Sequence, residues 1–144
     1  MNITIRSAEP DDEDAVIALW QASELVVSYN DPSSDFRTAR AKACSDILVA
    51  VDAGERIVGS VMVGHDGHRG WLYYLASDPA LRGQGIGCRL VEAAQDYLRA
   101  EGIAKVQLMI RETNERVRDF YEHLGFEHTP RIVMAKWLKD CCKS

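Results

Sequence analysis

Little in this sequence points to a membrane, a metal or a nucleic acid. No apolar run approaches the roughly 20 residues that span a bilayer, and the N-terminus carries no basic stretch followed by an apolar one. A cytoplasmic protein with no membrane partner is therefore expected. Basic residues are in deficit, 17 Lys and Arg against 22 Asp and Glu, for a formal net charge of −5. That balance argues against general nucleic-acid binding, which relies on a basic field. Cysteine is scarce: Cys44, Cys88, Cys141 and Cys142 have no zinc-like spacing, and adjacent Cys141-Cys142 cannot close a normal disulfide without backbone strain. Reduced thiols and no metal are the expectation. No repeat, low-complexity stretch or linker interrupts the 144 residues. That length is enough for one core and too short for two, so residues 1–144 are expected to form a single domain.

What the chain does have is Arg82-Gly83-Gln84-Gly85-Ile86-Gly87. This stretch follows the strand-like run Trp71 to Ala76 and the turn Ser77-Asp78-Pro79, and it opens directly into an amphipathic helix. Glycines at alternate positions let successive N–H groups turn toward one point, because no Cβ blocks the approach of an anion. The unpaired N–H groups and positive dipole end of the helix add to the same site, and Arg82 supplies a formal charge. The stretch reads as a pyrophosphate cradle. It is not a Walker loop, which needs Lys and Ser/Thr after its last glycine. Nor is it a dinucleotide fingerprint, since Cys88 stands three past Gly85, where that pattern has glycine. Without a ligand the same residues make a strand-to-helix turn that merely uses glycine. Cys88 reads either as a thiol activated at a helix N-terminus or as a small residue filling the first turn.

The rest of the chain alternates short strands and helices. Ile3 to Arg6 is a first strand. Pro10 to Glu13 starts a helix whose apolar face is Ala15, Leu19, Ala22 and Val26, with Val16 and Trp20 beside it. The turn formers Ser28 to Ser34 break it, and a short helix follows from about Asp35 to Ala43. Ile47–Val51, Ile57–Val63 and the Trp71 run form a meander through turns at Asp52-Ala53-Gly54-Glu55 and Asp66-Gly67. The helix after the cradle carries Ile86, Leu90, Ala94, Tyr97 and Leu98 on one face and stops at Gly102. Lys105 to Ile110 should be a fifth strand parallel to the Trp71 strand. A last helix starts at Asn114, carries Val117, Phe120, Tyr121 and Leu124, and stops at Gly125. Phe126 to Leu138 reads as one or two closing strands broken at Pro130. The fold class is α/β, a mixed sheet with four flanking helices.

Two motifs on their proper elements resemble the GNAT superfamily of acetyl-coenzyme A-dependent N-acetyltransferases, from Ile3 to Leu138. The family's cofactor signature, Arg/Gln-x-x-Gly-x-Gly/Ala, is matched by Arg82, Gly85 and Gly87. Its second signature is matched by Asn114, Val117, Tyr121 and Gly125-Phe126, with Val117 where alanine is commoner. Within the family, Asn30-Asp31-Pro32 and Asp66-Gly67-His68-Arg69-Gly70 are similar to the bacterial YpeA-type subgroup, which brings no acceptor with it. The resemblance implies a mainly antiparallel sheet of six to seven strands whose central parallel pair splays apart. It implies acetyl-coenzyme A as co-substrate. The pyrophosphate would lie on Gly83, Gln84, Gly85, Ile86, Gly87 and Cys88 with Arg82, and Arg89 nearby. Pantetheine would lie along Leu75, Ala76 and Ser77 like a missing strand. An N–H near Leu75 or Ala76 would stabilise the oxyanion, worth about 3 kcal/mol. Tyr121 would give a proton or hydrogen bond to the departing thiolate.

Each of these residues also has a plainer reading. Tyr121 can be a core aromatic, and Asn114 an N-cap rather than a cofactor contact. Some relatives carry a catalytic Glu on the fifth strand, whereas the nearby positions here are Leu108, Met109 and Ile110. Glu112, His65, Asp66 and His68 are the remaining candidates for a base, although Asp66-Gly67 fits a tight turn. Tyr29, Asn30 and Asp31, with His68, are candidates for the acceptor amine; a turn or helix cap explains the first three equally well. The expected activity is acetyl transfer to a primary amine of a small molecule or peptide in a ternary complex. The alternative is a catalytically silent acyl-coenzyme A-binding or regulatory module. Dimers are frequent among such enzymes, so a homodimer is the assembly to test.

Overall fold

In the computed structural model, which describes residues 2–139, the chain falls into two compact units divided between Leu108 and Met109. The first contains a five-stranded sheet in the order β1 (Thr4–Ser7), β2 (Ser45–Val51), β3 (Ile57–His65), β4 (Gly70–Ser77) and β5 (Val106–Gln107). All neighbours are antiparallel except β4 and β5, which run parallel. Helices α1 (Glu13–Ala22), α2 (Pro32–Ala41) and α3 (Ile86–Ala100) pack on this sheet. The second unit holds α4 (Glu115–His123). No helix among the described residues is long and apolar enough to cross a membrane.

The two faces of the sheet are sorted by strand alternation. Ile47, Val49 and Val51 of β2 join Val16, Leu19 and Trp20 of α1 and Phe36 and Ala39 of α2 in one buried cluster. The opposite face takes α3, through Ile86, Leu90, Val91, Ala94 and Leu98. That helix sits close because the sheet gives way beneath it. A Cβ at Gly59 would stand 2.7 Å from Ile86 Cγ2 and 2.9 Å from Leu90 Cδ1, and one at Gly70 2.5 Å from Leu98 Cδ1.

Several sequence expectations need correction. Helix α1 ends at Ala22 rather than running to Val26, because Leu25 N–H turns back to the Trp20 carbonyl at 2.9 Å and Glu24 N–H to Gln21 at 3.1 Å. Its buried residues are Val16, Leu19 and Trp20, while Ala15 and Ala22 are exposed. Helix α2 starts earlier than expected, with Pro32 as its first residue and the Asp31 carboxylate capping it from 3.2 Å. The fifth strand is only Val106–Gln107, and none of residues 126–139 is in a strand. The sheet therefore has five strands among the described residues instead of six to seven. The alternation in Ile132, Met134 and Leu138 suits a strand, but a strand also needs an edge to bond, and these side chains are largely exposed. Cys141 and Cys142 lie outside the described residues.

Candidate active site

The cradle forms where β4 hands the chain to α3. After a short 3-10 turn at Pro79–Leu81, Gly83 and Gly85 take φ of +83° and +78°, and Gly85 is the N-cap of α3. L-residues with a side chain resist that conformation, so glycine is required there. Nothing among the described residues stands within 4 Å of the position a Cβ would take at either glycine. Among the described residues no acceptor is found for the N–H groups of Gln84, Gly85, Ile86, Gly87 and Cys88; the first capping bond is Arg89 N–H to Gly85 O. Helix α3 also lacks a side-chain cap and has no acid in its first turn. The other three helices each place an acid there: Glu13 and Asp14, Asp35, and Glu115. Three helix dipoles are thus compensated by the protein and one is left for an outside anion. Arg82 is exposed with no partner among the described residues, whereas Arg89 is spent on the Ile3 carbonyl at 2.7 Å. Free amides, open space and a free guanidinium fit a pyrophosphate.

Strand β4 meets β5 only at Gly70↔Val106 and Trp71↔Gln107, so its edge from Leu72 to Ser77 is not paired with β5. On its other side Met62 faces Tyr73 and Ser60 faces Ala76, which leaves Tyr74 and Leu75 together opposite Val61. This is a β-bulge, and Tyr74 within it has φ of +54°. The extra residue swaps the faces of the strand. Gly70 abuts Leu98 of α3, but Tyr74 and Ala76, at the same parity, belong to the α1–α2 cluster.

A left-handed tyrosine costs about 1–2 kcal/mol, and its surroundings hold it there. The Tyr74 ring stacks on Trp20 at 4.1 Å and 12°. Trp20 is anchored by its Nε1–H to Ser60 Oγ at 3.1 Å. The Tyr74 hydroxyl donates to Asp35 Oδ2 at 2.7 Å. Burial and the Asp35 carboxylate push this phenol far above its ordinary value. Sequence reasoning missed Tyr74, Asp35 and the bulge. No local pattern marks a bulge; the only trace is a Tyr-Tyr pair in a strand that must bury one ring.

The acceptor candidates divide. Asn30 is exposed, Asp31 caps α2, and Tyr29 is exposed at 46%. His68 lies in the hairpin before β4, seven residues from Leu75, or about 20 Å along a strand. The structure does not bring it to the bulge. The hairpin has no spare amide. His68 and Arg69 N–H both donate to Asp66 Oδ1 at 2.8 Å, Gly67 N–H to His65 Nδ1 at 3.1 Å, and Asp66 N–H to Arg69 O at 3.3 Å.

In the second unit, Asn114 accepts from Val117 N–H at 3.3 Å and caps α4. At the other end Phe126 N–H bonds the Tyr121 carbonyl and Gly125 N–H that of Glu122, both at 3.0 Å, which makes a Schellman turn. That turn sets the Phe126 ring edge-on to Tyr121 at 5.2 Å, the physical content of the Gly-Phe signature. Tyr121 is 6% exposed, and burial pushes its phenol up to about 12. Glu112 is exposed.

A five-stranded mixed sheet with a bulged fourth strand, opening into a glycine-rich helix start, defines an acyltransferase class of fold. The profile described as the Acetyltransferase (GNAT) family matches residues 13–126, and the chain belongs to that family of acetyl-coenzyme A-dependent acetyltransferases. It is 40% identical over 134 residues to the acetyltransferase ECA0875 of Pectobacterium atrosepticum, covering 93% of this chain and 94% of that one. Among solved structures it is similar to AAC(6')-Iy in complex with the bisubstrate analogue CoA-S-monomethyl-acetylneamine (TM-score 0.81, 16% identity, 95% of this chain and 99% of that one). It is also similar to glucosamine-6-phosphate N-acetyltransferase of Arabidopsis thaliana (TM-score 0.76, 22% identity, 96% and 100%). At these identities the two structures speak for the fold.

Proposed function

We propose that the protein moves an acetyl group from acetyl-coenzyme A to a primary amine of a small molecule or peptide, with both substrates bound at once. The observation that carries this reading is the row of unspent N–H groups from Gln84 to Cys88, at a helix start the protein leaves without an acid. With Gly83 and Arg82 they would hold the pyrophosphate. The unpaired edge of Leu75, Ala76 and Ser77 would receive the pantetheine arm as an added strand. An N–H near Leu75 or Ala76, beside the bulge that leaves Tyr74 and Leu75 together opposite Val61, would face the thioester carbonyl. The bisubstrate analogue bound by AAC(6')-Iy supports the ternary arrangement by analogy.

Tyr121 would serve the departing thiolate. A phenol at about 12 keeps its proton at neutral pH, so it is a standing donor. Full transfer to a thiolate whose thiol has a pKa near 8.5 would be uphill by about 5 kcal/mol, so Tyr121 acts through a hydrogen bond. Asn114 caps α4, and its amide N–H groups are left for the cofactor. Tyr29, Asn30 and Asp31 are the acceptor-side residues of this reading, and His68 would have to meet the acceptor from the hairpin at the far end of β4. The family match runs across the division at Leu108, which supports residues 1–144 acting as one catalytic domain. The likeness to the YpeA-type subgroup belongs to this proposal and names no acceptor.

The second reading is a module that binds acyl-coenzyme A without catalysis, favoured by apolar Leu108, Met109 and Ile110 where some relatives carry Glu. Calorimetry with coenzyme A and a thiol-release screen across amines separate the two. Binding with thiol release supports transfer, binding with none across the screen supports the silent module, and no binding removes both.

A further inference from the structure

Between α2 and the hairpin of β3 and β4 lies an open cavity of about 350 Å³. Ala39 and Met62 line its middle, and Trp71 and Tyr73 form one wall with their rings 6.5 Å apart and 20° from parallel. Asp35, Asp66 and His65 also line it, and among the described residues no Lys or Arg does. The two carboxylates sit toward opposite ends. Asp35 is pinned at the Tyr74 hydroxyl, and Asp66 accepts from the Arg69 amide. Tyr74 and Arg69 are five residues apart, or about 15 Å of strand. The cleft is therefore apolar and aromatic in the middle and negative at both ends. Its volume is that of a small-molecule site.

We infer that this cavity takes an acceptor with two amines separated by an apolar spacer, an alkyl diamine or polyamine. One amine lies by Asp35, beside the bulge at Tyr74 and Leu75. The other ammonium lies against Asp66, and the methylene chain runs over Trp71 and Tyr73, whose faces attract cations. This rests on the acetyl-transfer reading, which makes the bulge the reacting end. The amine nitrogen bonds the acetyl carbon, the carbon–sulfur bond breaks, the nitrogen loses one proton and the sulfur gains one, giving an amide and free coenzyme A thiol. Asp66 is the residue that would select a second positive charge.

The test uses diaminooctane and octylamine, which differ only in the second ammonium. Each is titrated calorimetrically into the full chain with coenzyme A present. Diaminooctane should bind at least about tenfold tighter, a difference of about 1.4 kcal/mol. In Asp66→Asn the amide oxygen can keep both turn bonds while the charge is lost, and diaminooctane should weaken to the level of octylamine; a melting curve checks that the variant is folded. Equal affinities in the native protein, or a preference that survives Asp66→Asn, overturns the assignment. With acetyl-coenzyme A in place of coenzyme A, a preference without thiol release would keep the cavity and remove acetyl transfer. Thiol release from monoamines with no preference would do the reverse.

Discussion

Two glycine-bearing loops flank β4, and they differ in how their backbone is spent. In the hairpin from Asp66 to Arg69, all four N–H groups have acceptors within the loop or in His65. In the cradle from Gln84 to Cys88, no N–H has one among the described residues. Both loops use a glycine at positive φ, Gly67 at +86° and Gly85 at +78°, and both leave open space where a Cβ would stand. Composition does not separate them. Hydrogen-bond accounting does, because buried or clustered backbone donors are normally paired and an unpaired row calls for a partner from outside.

The sharpest way to break this comparison is the same substitution in both loops. Gly67→Ala and Gly85→Ala each force a residue with a side chain to positive φ, and each should cost about 1–2 kcal/mol in chemical denaturation. Only Gly85→Ala also puts a methyl group into the space proposed for the phosphates. Losing two charge-assisted bonds there would weaken coenzyme A binding several hundredfold, about 3–4 kcal/mol. Gly67→Ala should leave that dissociation constant unchanged. Equal losses of affinity would show that the cradle is only a turn.

Tyr121 tests whether binding and chemistry are separable, with a somewhat smaller effect. Tyr121→Phe removes a donor but keeps a ring to pack edge-on against Phe126. Turnover should fall about 100-fold with coenzyme A affinity unchanged. Unchanged turnover would leave Tyr121 as core. Alkali gives an independent check. Because the folded phenol titrates near 12 and the unfolded one near 10, the folded state holds the proton longer. Stability is therefore intact below about pH 10 and declines as pH rises toward about 12, a limb that Tyr121→Phe should flatten.

What was legible in the sequence is what local chemistry encodes. The glycine turn before α3, the extent of α3 with Gly102 after it, the Asn114 cap and the Gly125 stop all depend on neighbours within four residues, and the structure places each as read. The end of α1 was not legible, since Glu24 rather than glycine takes φ of +58° there. The bulge at Tyr74 was not legible either, because it is set by Trp20, Ser60 and Asp35 from three other elements. Strand count failed for a related reason. Alternation tells which side chains could share a face, whereas pairing depends on an edge elsewhere in the chain, and β5 finds one for two residues only.

The smallest effect concerns what holds the hairpin closed. Two backbone N–H bonds, from Arg69 and His68, hold the Asp66 carboxyl below its ordinary value. The unfolded chain therefore takes up that proton at higher pH than the folded one. The contribution is fully present above about pH 4 and is lost as pH falls through the lower folded value. Asp66→Asn retains a neutral acceptor for both amides and cannot titrate, so its Tm should lie slightly below the native one at pH 6. The gap should narrow as pH falls below about 4 and through the lower folded value, where the native carboxylate is protonated and becomes a neutral acceptor itself. A gap that stays constant across that range would mean the charge does not secure the turn, and the contrast between a self-satisfied hairpin and an unsatisfied cradle would then rest on backbone geometry alone.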